Sequence, residues 1–422
     1  MNSTSVSPDS ADSNVVISYS SSYLQTSGNW PISVVEPSSI SIAGNVTISG
    51  SYYFNITSSN VTIDGLGNTF TITSETDGLF RNGTSASNGR DNVTIQNVSV
   101  DGLGATLNSS GGWVCQSYFG KAASNNLVQN CNSKGNMVRN SGGILGANSG
   151  GGGGNVSARG CYSEGNILLD SGGIFGRASG SVGNSIAGTA TAENCYSKGY
   201  IGNRSGGIFG ALCGVQLNSR AIAISCYSEG DMGSNSDSEA GGIFGALCGQ
   251  GNQASRGMAS ATNCYSKGNI LGSKCGGIFG NSAANRGTAS ATNSYSTGDI
   301  SGSLCGGIFA SDSAYNGGIL TATNCYSTGD ISGTECGGIF GNQNGATGSG
   351  TVTATNCYFL YGTNIAGPIG TVSSSNIYAP NYPTNPWVDG TATSTLTGAP
   401  TNYPGVGATW TSTGIGIPFV LT

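Results

Sequence analysis

The sequence contains no histidine. Histidine is the commonest metal ligand and a frequent general base, and its absence removes every Ser-His or Cys-His nucleophilic arrangement. The 13 cysteines include no C-x-x-C pair, the spacing typical of zinc ligands. We therefore expect no metal site and no cofactor.

Charge is also scarce. Only 8% of the residues are charged, and 14 Lys and Arg stand against 20 Asp and Glu, a net charge of −6. The basic residues are scattered and form no stripe, so nucleic acid is not an expected partner. Low charge combined with 36% hydrophobic residues is not typical of a disordered chain.

Long apolar runs are missing as well, so we expect no insertion into a membrane. The N-terminal stretch MNSTSVSPDSADSNVV has neither the basic start nor the apolar core of a signal peptide. A reducing compartment is then the expected location, with an extracellular surface as the alternative. In a reducing compartment the cysteines are expected to be thiols.

Glycine, by contrast, contributes 73 residues, many of them in a repeat. Each unit opens with a variant of Cys-Tyr-Ser and continues to a variant of Gly-Gly-Ile-Phe-Gly. The units begin at Cys131, Cys161, Cys195, Cys226, Cys264, Ser294, Cys325 and Cys357. They are 30 to 38 residues apart, and most of the variation follows the Gly-Gly-Ile-Phe-Gly segment. A constant unit with variable loops on one side is typical of a solenoid.

The stretch before each unit alternates small apolar and hydroxyl residues, as in TASATN (288–293) and TVTATN (351–356). A period of two predicts a strand, with Ala289 and Ala291 facing a narrow interior. The Asn that usually follows tolerates a left-handed bend. GDISG and GGIFG are expected to form two further short strands. The predicted fold class is all-β: a right-handed parallel β-helix, or β-solenoid, of about a dozen coils.

One column of charges supports this stacking. Three residues after each unit begins, the sequence reads Lys134, Glu164, Lys198, Glu229 and Lys267. Neighbouring coils lie about 4.8 Å apart, so like charges in this column would repel and alternating charges attract. The alternation predicts an outward-facing column in register.

The character of the sequence changes along the chain. Residues 1–28 are Ser-rich and predicted to be an arm or cap, and 29–130 are expected to form irregular N-terminal coils. Residues 131–370 contain the regular coils. Residues 371–422 are rich in Pro and aromatic residues. The end of a solenoid must be covered, so we interpret this last segment as a cap or as a surface for self-association.

The outward Thr/Ser face is the candidate ligand surface. It has two columns, and its residues are Ser260, Thr262, Ser290, Thr292, Thr321, Thr323, Thr353 and Thr355. Regular Thr arrays on β-solenoids can bind glycans or ice, although Thr is also simply a good residue for an exposed strand. Both interpretations stay open at this point.

Other recurring residues favour structural roles. The acids closest to a cluster are Asp64, Asp77, Asp91 and Asp101, with Arg81 and Arg90 nearby, and Asp-Gly is an ordinary turn signal. Asp231, Asp299 and Asp330 recur in the repeat without a calcium-binding pattern. The recurring tyrosines are expected to form a stacked ladder. The cysteines before Gly-Gly (Cys275, Cys305, Cys336) and those in GALCG (Cys213, Cys248) are expected to be small buried side chains.

Several of these segments resemble known proteins. NVTIDGLGNTFTI, GLFRNGTS, NVTIQNVSV and the CYS…GGIFG repeats resemble uncharacterised repeat proteins of giant DNA viruses. More broadly the chain is similar to pectin-lyase-like β-helices, and GGIFG is similar to the Gly-rich repeats of bacterial adhesins. The resemblance implies a non-enzymatic structural or attachment protein of a virion, located in the particle or in host cytoplasm. Other virion or surface proteins, copies of itself and glycans would be its partners. A carbohydrate-active β-helix enzyme is the alternative.

Overall fold

The computed structural model describes residues 15–359, with gaps at 50, 182–185, 217, 253–254 and 346–348, and the short pieces 373–375, 410–411 and 420–421. The predicted segment 371–422 therefore lies almost wholly outside the described residues, as do residues 1–14. Strands are numbered below in chain order.

One long parallel sheet, sheet 1, runs the length of the described chain. Its strands, in spatial order, are β1 (Val15–Ser20), β3 (Ser38–Ala43), β6 (Val61–Asp64), β9 (Val93–Gln96), β11 (Asn126–Gln129), β13 (Asn155–Arg159), β15 (Thr189–Glu193), β17 (Arg220–Ile224), β19 (Met258–Thr262), β21 (Thr288–Thr292), β23 (Ile319–Thr323), β25 (Thr351–Thr355) and β27 (Ser373–Ser375). Each strand comes from one coil and pairs in parallel with the next.

A second parallel sheet, sheet 2, lies one bend further along each coil. Its strands are β4 (Val46–Ile48), β7 (Thr69–Ile72), β10 (Ser99–Asp101), β12 (Asn132–Lys134), β14 (Tyr162–Ser163), β16 (Tyr196–Ser197), β18 (Tyr227–Ser228), β20 (Tyr265–Ser266), β22 (Tyr295–Ser296), β24 (Tyr326–Ser327) and β26 (Tyr358–Phe359). The Cys-Tyr-Ser phrase thus supplies the sheet 2 strand of each regular coil.

The third face begins as a sheet, sheet 3, and continues as single bridges. Sheet 3 contains β2 (Ile32–Val34), β5 (Phe54–Ile56) and β8 (Phe80–Arg81). From there, isolated parallel bridges connect Phe80, Cys115, Leu145, Phe175 and then each successive Phe as far as Phe340. The prediction of short strands at GDISG and GGIFG is wrong, because the bridges there are isolated. Tight bends on both sides of the Ile and the Phe leave only single bridging residues.

The remaining elements are short. Helix α1 (Ser21–Leu24) and a 3₁₀ turn (Ser27–Asn29) follow β1, and a second 3₁₀ turn lies at Tyr315–Gly317. Strands β28 (Trp410–Thr411) and β29 (Val420–Leu421) pair in antiparallel fashion. Among the described residues, no helix is long and apolar enough to cross a membrane.

This architecture is a parallel β-helix, which confirms the predicted fold class. In β21 the burial alternates so that Ala289 and Ala291 are fully buried and the residues between them are half-exposed. Asn293 follows at φ +48° and makes the predicted left-handed bend. This coil is narrow because β21 points only Ala side chains inward.

Large side chains fill the interior on the third face. The phenyl rings from Phe175 to Phe340 stack coil upon coil, with centroids 4.7 to 5.4 Å apart. All are completely buried. The 13 cysteines are free thiols, and twelve of them are buried, as predicted for small core residues. Cys336 is only partly buried, so the prediction for that residue is wrong.

A column of serines fills the space beside the Gly-Gly pair. Ser163, Ser197 and Ser228 from Cys-Tyr-Ser are fully buried, and a Cβ added to Gly207 would lie 2.6 Å from the Cβ of Ser228. The Ser197 hydroxyl has no hydrogen-bond partner among the described residues. Ser205 belongs to the same coil but differs, because its hydroxyl donates to the Leu168 carbonyl at 2.6 Å.

These two serines give a matched pair for measuring what each hydroxyl contributes. We expect Ser205→Ala to lower the free energy of unfolding by about 1–2 kcal/mol, because a buried hydrogen bond is lost. Ser197→Ala should be neutral or stabilising, since it removes a polar atom that is buried without a partner. Urea unfolding followed by circular dichroism measures both. Equal losses in the two variants would contradict this assignment.

Candidate binding surface

The predicted Thr/Ser face lies on the outside of sheet 1, across β19, β21, β23 and β25. Ser260, Ser290, Thr321 and Thr353 are register partners in successive strands, and Thr262, Thr292, Thr323 and Thr355 form the second column. All eight side chains are half-exposed. The structure therefore brings every residue of the predicted face together; we call these eight the hydroxyl patch.

The hydroxyl patch forms a regular grid. Successive strands are about 4.8 Å apart, and outward residues along one strand about 6.6 Å apart. Within the described part of the chain, none of the eight hydroxyls donates or accepts a hydrogen bond with another protein group. They are available to water or to a ligand.

A third outward column on the same strands was not predicted from the sequence. It contains Met258, Thr288, Ile319 and Thr351. Two apolar residues interrupt its hydroxyl pattern, which is why alternation alone did not reveal it. On the N-terminal side the hydroxyl patch ends at β17, where Ile222 and Ile224 pair with Ser260 and Thr262.

An asparagine ladder borders the hydroxyl patch. The Nδ2 of Asn293 donates to Oδ1 of Asn263 at 3.2 Å, Asn324 to Asn293 at 2.9 Å, and Asn356 to Asn324 at 3.1 Å. All four residues have positive φ between 48° and 56°. These bonds run along the axis and hold the edge of the hydroxyl patch in register.

The alternating charge column is exposed and in register, as predicted. Lys134 pairs with Glu164 and Lys267 with Glu229, each at 3.4 Å. Lys198 instead lies over the Tyr196 ring, with Nζ 5.5 Å from its centroid. Exposed pairs of this kind contribute little energy each.

The tyrosines form the predicted ladder. Neighbouring rings from Tyr162 to Tyr326 stack with centroids 4.7 to 4.9 Å apart and nearly parallel planes. Burial raises the pKa of Tyr265 to about 12. Each ring covers the face of the next, so the ladder cannot offer flat aromatic faces to a sugar.

The N-terminal acids cap turns. Asp64 accepts hydrogen bonds from the Leu66 N–H at 2.8 Å, from Gln96 at 2.7 Å and from Asn97 at 3.0 Å. Burial opposes ionisation of Asp64, yet these bonds hold its pKa below the ordinary value. Asp101 accepts from the Leu103 N–H. A general acid needs a raised pKa, so Asp64 has the opposite tuning.

Three further members of the N-terminal group, Asp77, Asp91 and Arg81, bond to neighbouring coils. Asp91 accepts from the Ser124 N–H at 2.6 Å and Asp77 from Asn108 at 3.0 Å. The Arg81 guanidinium donates to Asn55 and lies over the Tyr53 ring. These contacts join adjacent coils and give the three side chains a structural role.

The recurring acids of the repeat connect adjacent coils. Asp299 accepts from the Asp330 N–H at 2.9 Å, and Asp231 from the Asn269 N–H at 2.8 Å. No cluster of three or more Cys, Asp or Glu residues suited to a metal ion occurs in the described ranges.

A second charge column was not predicted from the sequence. Arg204 lies between Asp170 at 3.0 Å and Glu239 at 3.9 Å. Each of these residues lies two positions before a Gly-Gly pair, and the alternation of negative and positive charge can be seen in the sequence. The same register test that revealed the Lys/Glu column would have found them.

Comparisons with known proteins identify no relative. No protein-family model, no curated protein and no solved structure matches the chain. The hydroxyl patch is an in-register array of hydroxyls, and none of its eight residues is charged.

Proposed function

We propose that this protein is a non-enzymatic structural or surface-attachment component of a large DNA virus particle, and that it attaches to glycans through the hydroxyl patch. The attachment role is supported by the in-register grid of hydroxyls on β19, β21, β23 and β25. Glycans present repeated hydroxyls that such a grid can pair with.

The rigidity of the surface supports this proposal. The hydroxyl patch is backed by fully buried Ala side chains and bordered by the Asn ladder. A surface whose geometry is fixed before binding loses little conformational entropy when a ligand docks. Weak contacts repeated in register can then add up to useful affinity.

The particle is proposed from the sequence resemblance alone, with other virion proteins or copies of this chain as partners. Mass spectrometry of purified particles from the source of this sequence should detect the chain. Its absence from the particles would contradict the virion role and leave attachment standing.

Attachment is tested by pull-down of the purified chain with insoluble cellulose, chitin and pectate. We expect saturable binding to at least one polysaccharide without release of sugar. The double variant Thr292→Gln/Thr323→Gln should weaken that binding by about tenfold or more, the equivalent of about 1.4 kcal/mol, because two bulkier side chains break the grid.

The matched control is Thr297→Gln/Thr328→Gln. These threonines lie five residues further along the same two coils, on the column of Lys267, and their replacement should leave binding unchanged. Equal loss in both double variants, or no binding to any polysaccharide, would contradict the glycan role. Sugar release that rises with protein concentration would favour the enzyme alternative. Binding to ice that only the first double variant loses would identify ice as the ligand.

A further inference from the structure

Three thiols stack in successive coils directly before the Gly-Gly pairs. The Cys275 N–H donates to Sγ of Cys305 at 3.4 Å, and the Cys305 N–H donates to Sγ of Cys336 at 3.4 Å. The Cys305 thiol donates to the Gly272 carbonyl at 3.2 Å, and the Cys336 thiol donates to the Gly302 carbonyl at 3.1 Å, each in the preceding coil. Each sulfur thus points toward the preceding coil.

The coil spacing suits a covalent bond between these sulfurs. Neighbouring coils lie about 4.8 Å apart, and ordinary disulfides join Cα atoms roughly 4.4–6.8 Å apart. Cys275 and Cys336 are separated by two coils, about 9.6 Å, which is too far for a disulfide. Only adjacent members of the column can therefore be joined.

Cys336 differs from the other twelve cysteines because it is the one that is not fully buried. The neighbouring Cys305 thiol lowers the pKa of Cys336, whereas burial and Glu335 act in the opposite direction. Accessible thiols of lowered pKa are the ones that oxidants reach first.

We propose that Cys305 and Cys336 are a peroxide-reactive pair that forms a disulfide between two successive coils. The Cys336 thiolate attacks a hydroperoxide oxygen, becomes a sulfenic acid and releases water or an alcohol. The Cys305 thiol then attacks the sulfenic sulfur, forms the S–S bond and releases water. Two thiols are oxidised and the peroxide is reduced, and a dithiol reverses the reaction.

The chain contains its own control pair. Cys325 and Cys357 lie in adjacent coils and their thiols likewise donate to carbonyls of the preceding coil, Ala291 and Ala322, but both are buried. Burial raises the pKa of Cys325 well above its ordinary value. Stacking alone would make the two pairs equally reactive, whereas access and thiolate character select Cys305 and Cys336.

The test treats the reduced full-length chain with hydrogen peroxide and maps its disulfides by mass spectrometry after alkylation in acid. We expect loss of two of the 13 thiols, a Cys305–Cys336 linkage, and an untouched Cys325–Cys357 pair. The linkage should raise the midpoint of thermal unfolding, and a dithiol should reverse both changes.

Two variants make the result decisive. Cys336→Ser should abolish thiol loss, and it should fold because Ser141, Ser171 and Ser205 occupy the same column. Cys305→Ser should leave Cys336 as a sulfenic acid that dimedone traps, with no disulfide. The proposal is overturned if the oxidised pair maps elsewhere, if Cys336→Ser oxidises like the native chain, or if native thiols survive the peroxide.

Discussion

Gly207→Ala should lower the free energy of unfolding by about 3 kcal/mol or more, at the upper end for overpacking of a core. The added methyl group would press against the backbone oxygen of Gly242 and lie 2.6 Å from the Cβ of Ser228. Both atoms belong to the next coil, so neither can move without separating the two coils.

The effect comes from close approach rather than from backbone conformation. Gly207 does not have a positive φ, so alanine could adopt its backbone angles without strain. The same contact recurs at Gly173, Gly242, Gly277 and Gly307, each against the Ser of a neighbouring Cys-Tyr-Ser. The second glycine of the repeat is therefore needed because that serine fills the space.

Urea unfolding measures this cost, with Gly104→Ala as the control. Gly104 is exposed and a Cβ there would meet no atom within 4 Å, so the control should change stability by less than about 0.5 kcal/mol. A Gly207→Ala protein as stable as the control would mean that the coils are not packed as closely as described.

Much of the fold could be predicted because its signals are local. Alternation in TASATN fixes which residues of β21 point inward, and this pattern needs no knowledge of the rest of the chain. The Asn bends and the Lys/Glu column were predictable for a related reason. Once the repeat is aligned, each residue's axial neighbour is the residue at the same place in the next unit.

The third face could not be predicted in the same detail. GGIFG has one large apolar pair and no alternation, so the sequence does not distinguish a short strand from a bend that contains one bridging residue. The role of the column at Ser205, Cys275 and Cys305 was also hidden. The sequence shows that these side chains are small. Whether their Oγ or Sγ atoms accept N–H groups of the preceding coil depends on the direction of each side chain.

The two uninterrupted columns of the candidate surface could be predicted from the sequence, but the third column could not. Ser290 and Thr292 belong to a regular run of hydroxyl residues, whereas Met258 and Ile319 break the neighbouring column. The cap predicted at 371–422 lies almost wholly outside the described residues, so that prediction stands as it was made.

Deletion of residues 264–293 should leave a folded protein that is one coil shorter. The deletion joins Asn263 to Ser294, which replaces one unit start by the next, 30 residues later. Tyr295 would then stack on Tyr227 and Ser290 would be lost with its whole strand. Every remaining contact has an equivalent in the native chain, because each coil contacts only its neighbours.

Deletion of residues 264–278 removes half of the same coil and should abolish folding. It joins Asn263 to Phe279, so the Cys-Tyr-Ser strand and the Gly-Gly pair are both missing from that turn. The residues after the junction would then be out of register with the preceding coil. Strands with one buried face do not tolerate a change of register, because it exposes their buried side chains.

Equilibrium urea unfolding of these two deletions, beside the full chain, is the most direct test that the repeated phrase is one structural coil. The whole-coil deletion should unfold cooperatively, with a midpoint shift smaller than that of Gly207→Ala, and the half-coil deletion should show no folded baseline. A whole-coil deletion that is as unfolded as the half-coil deletion would contradict the account.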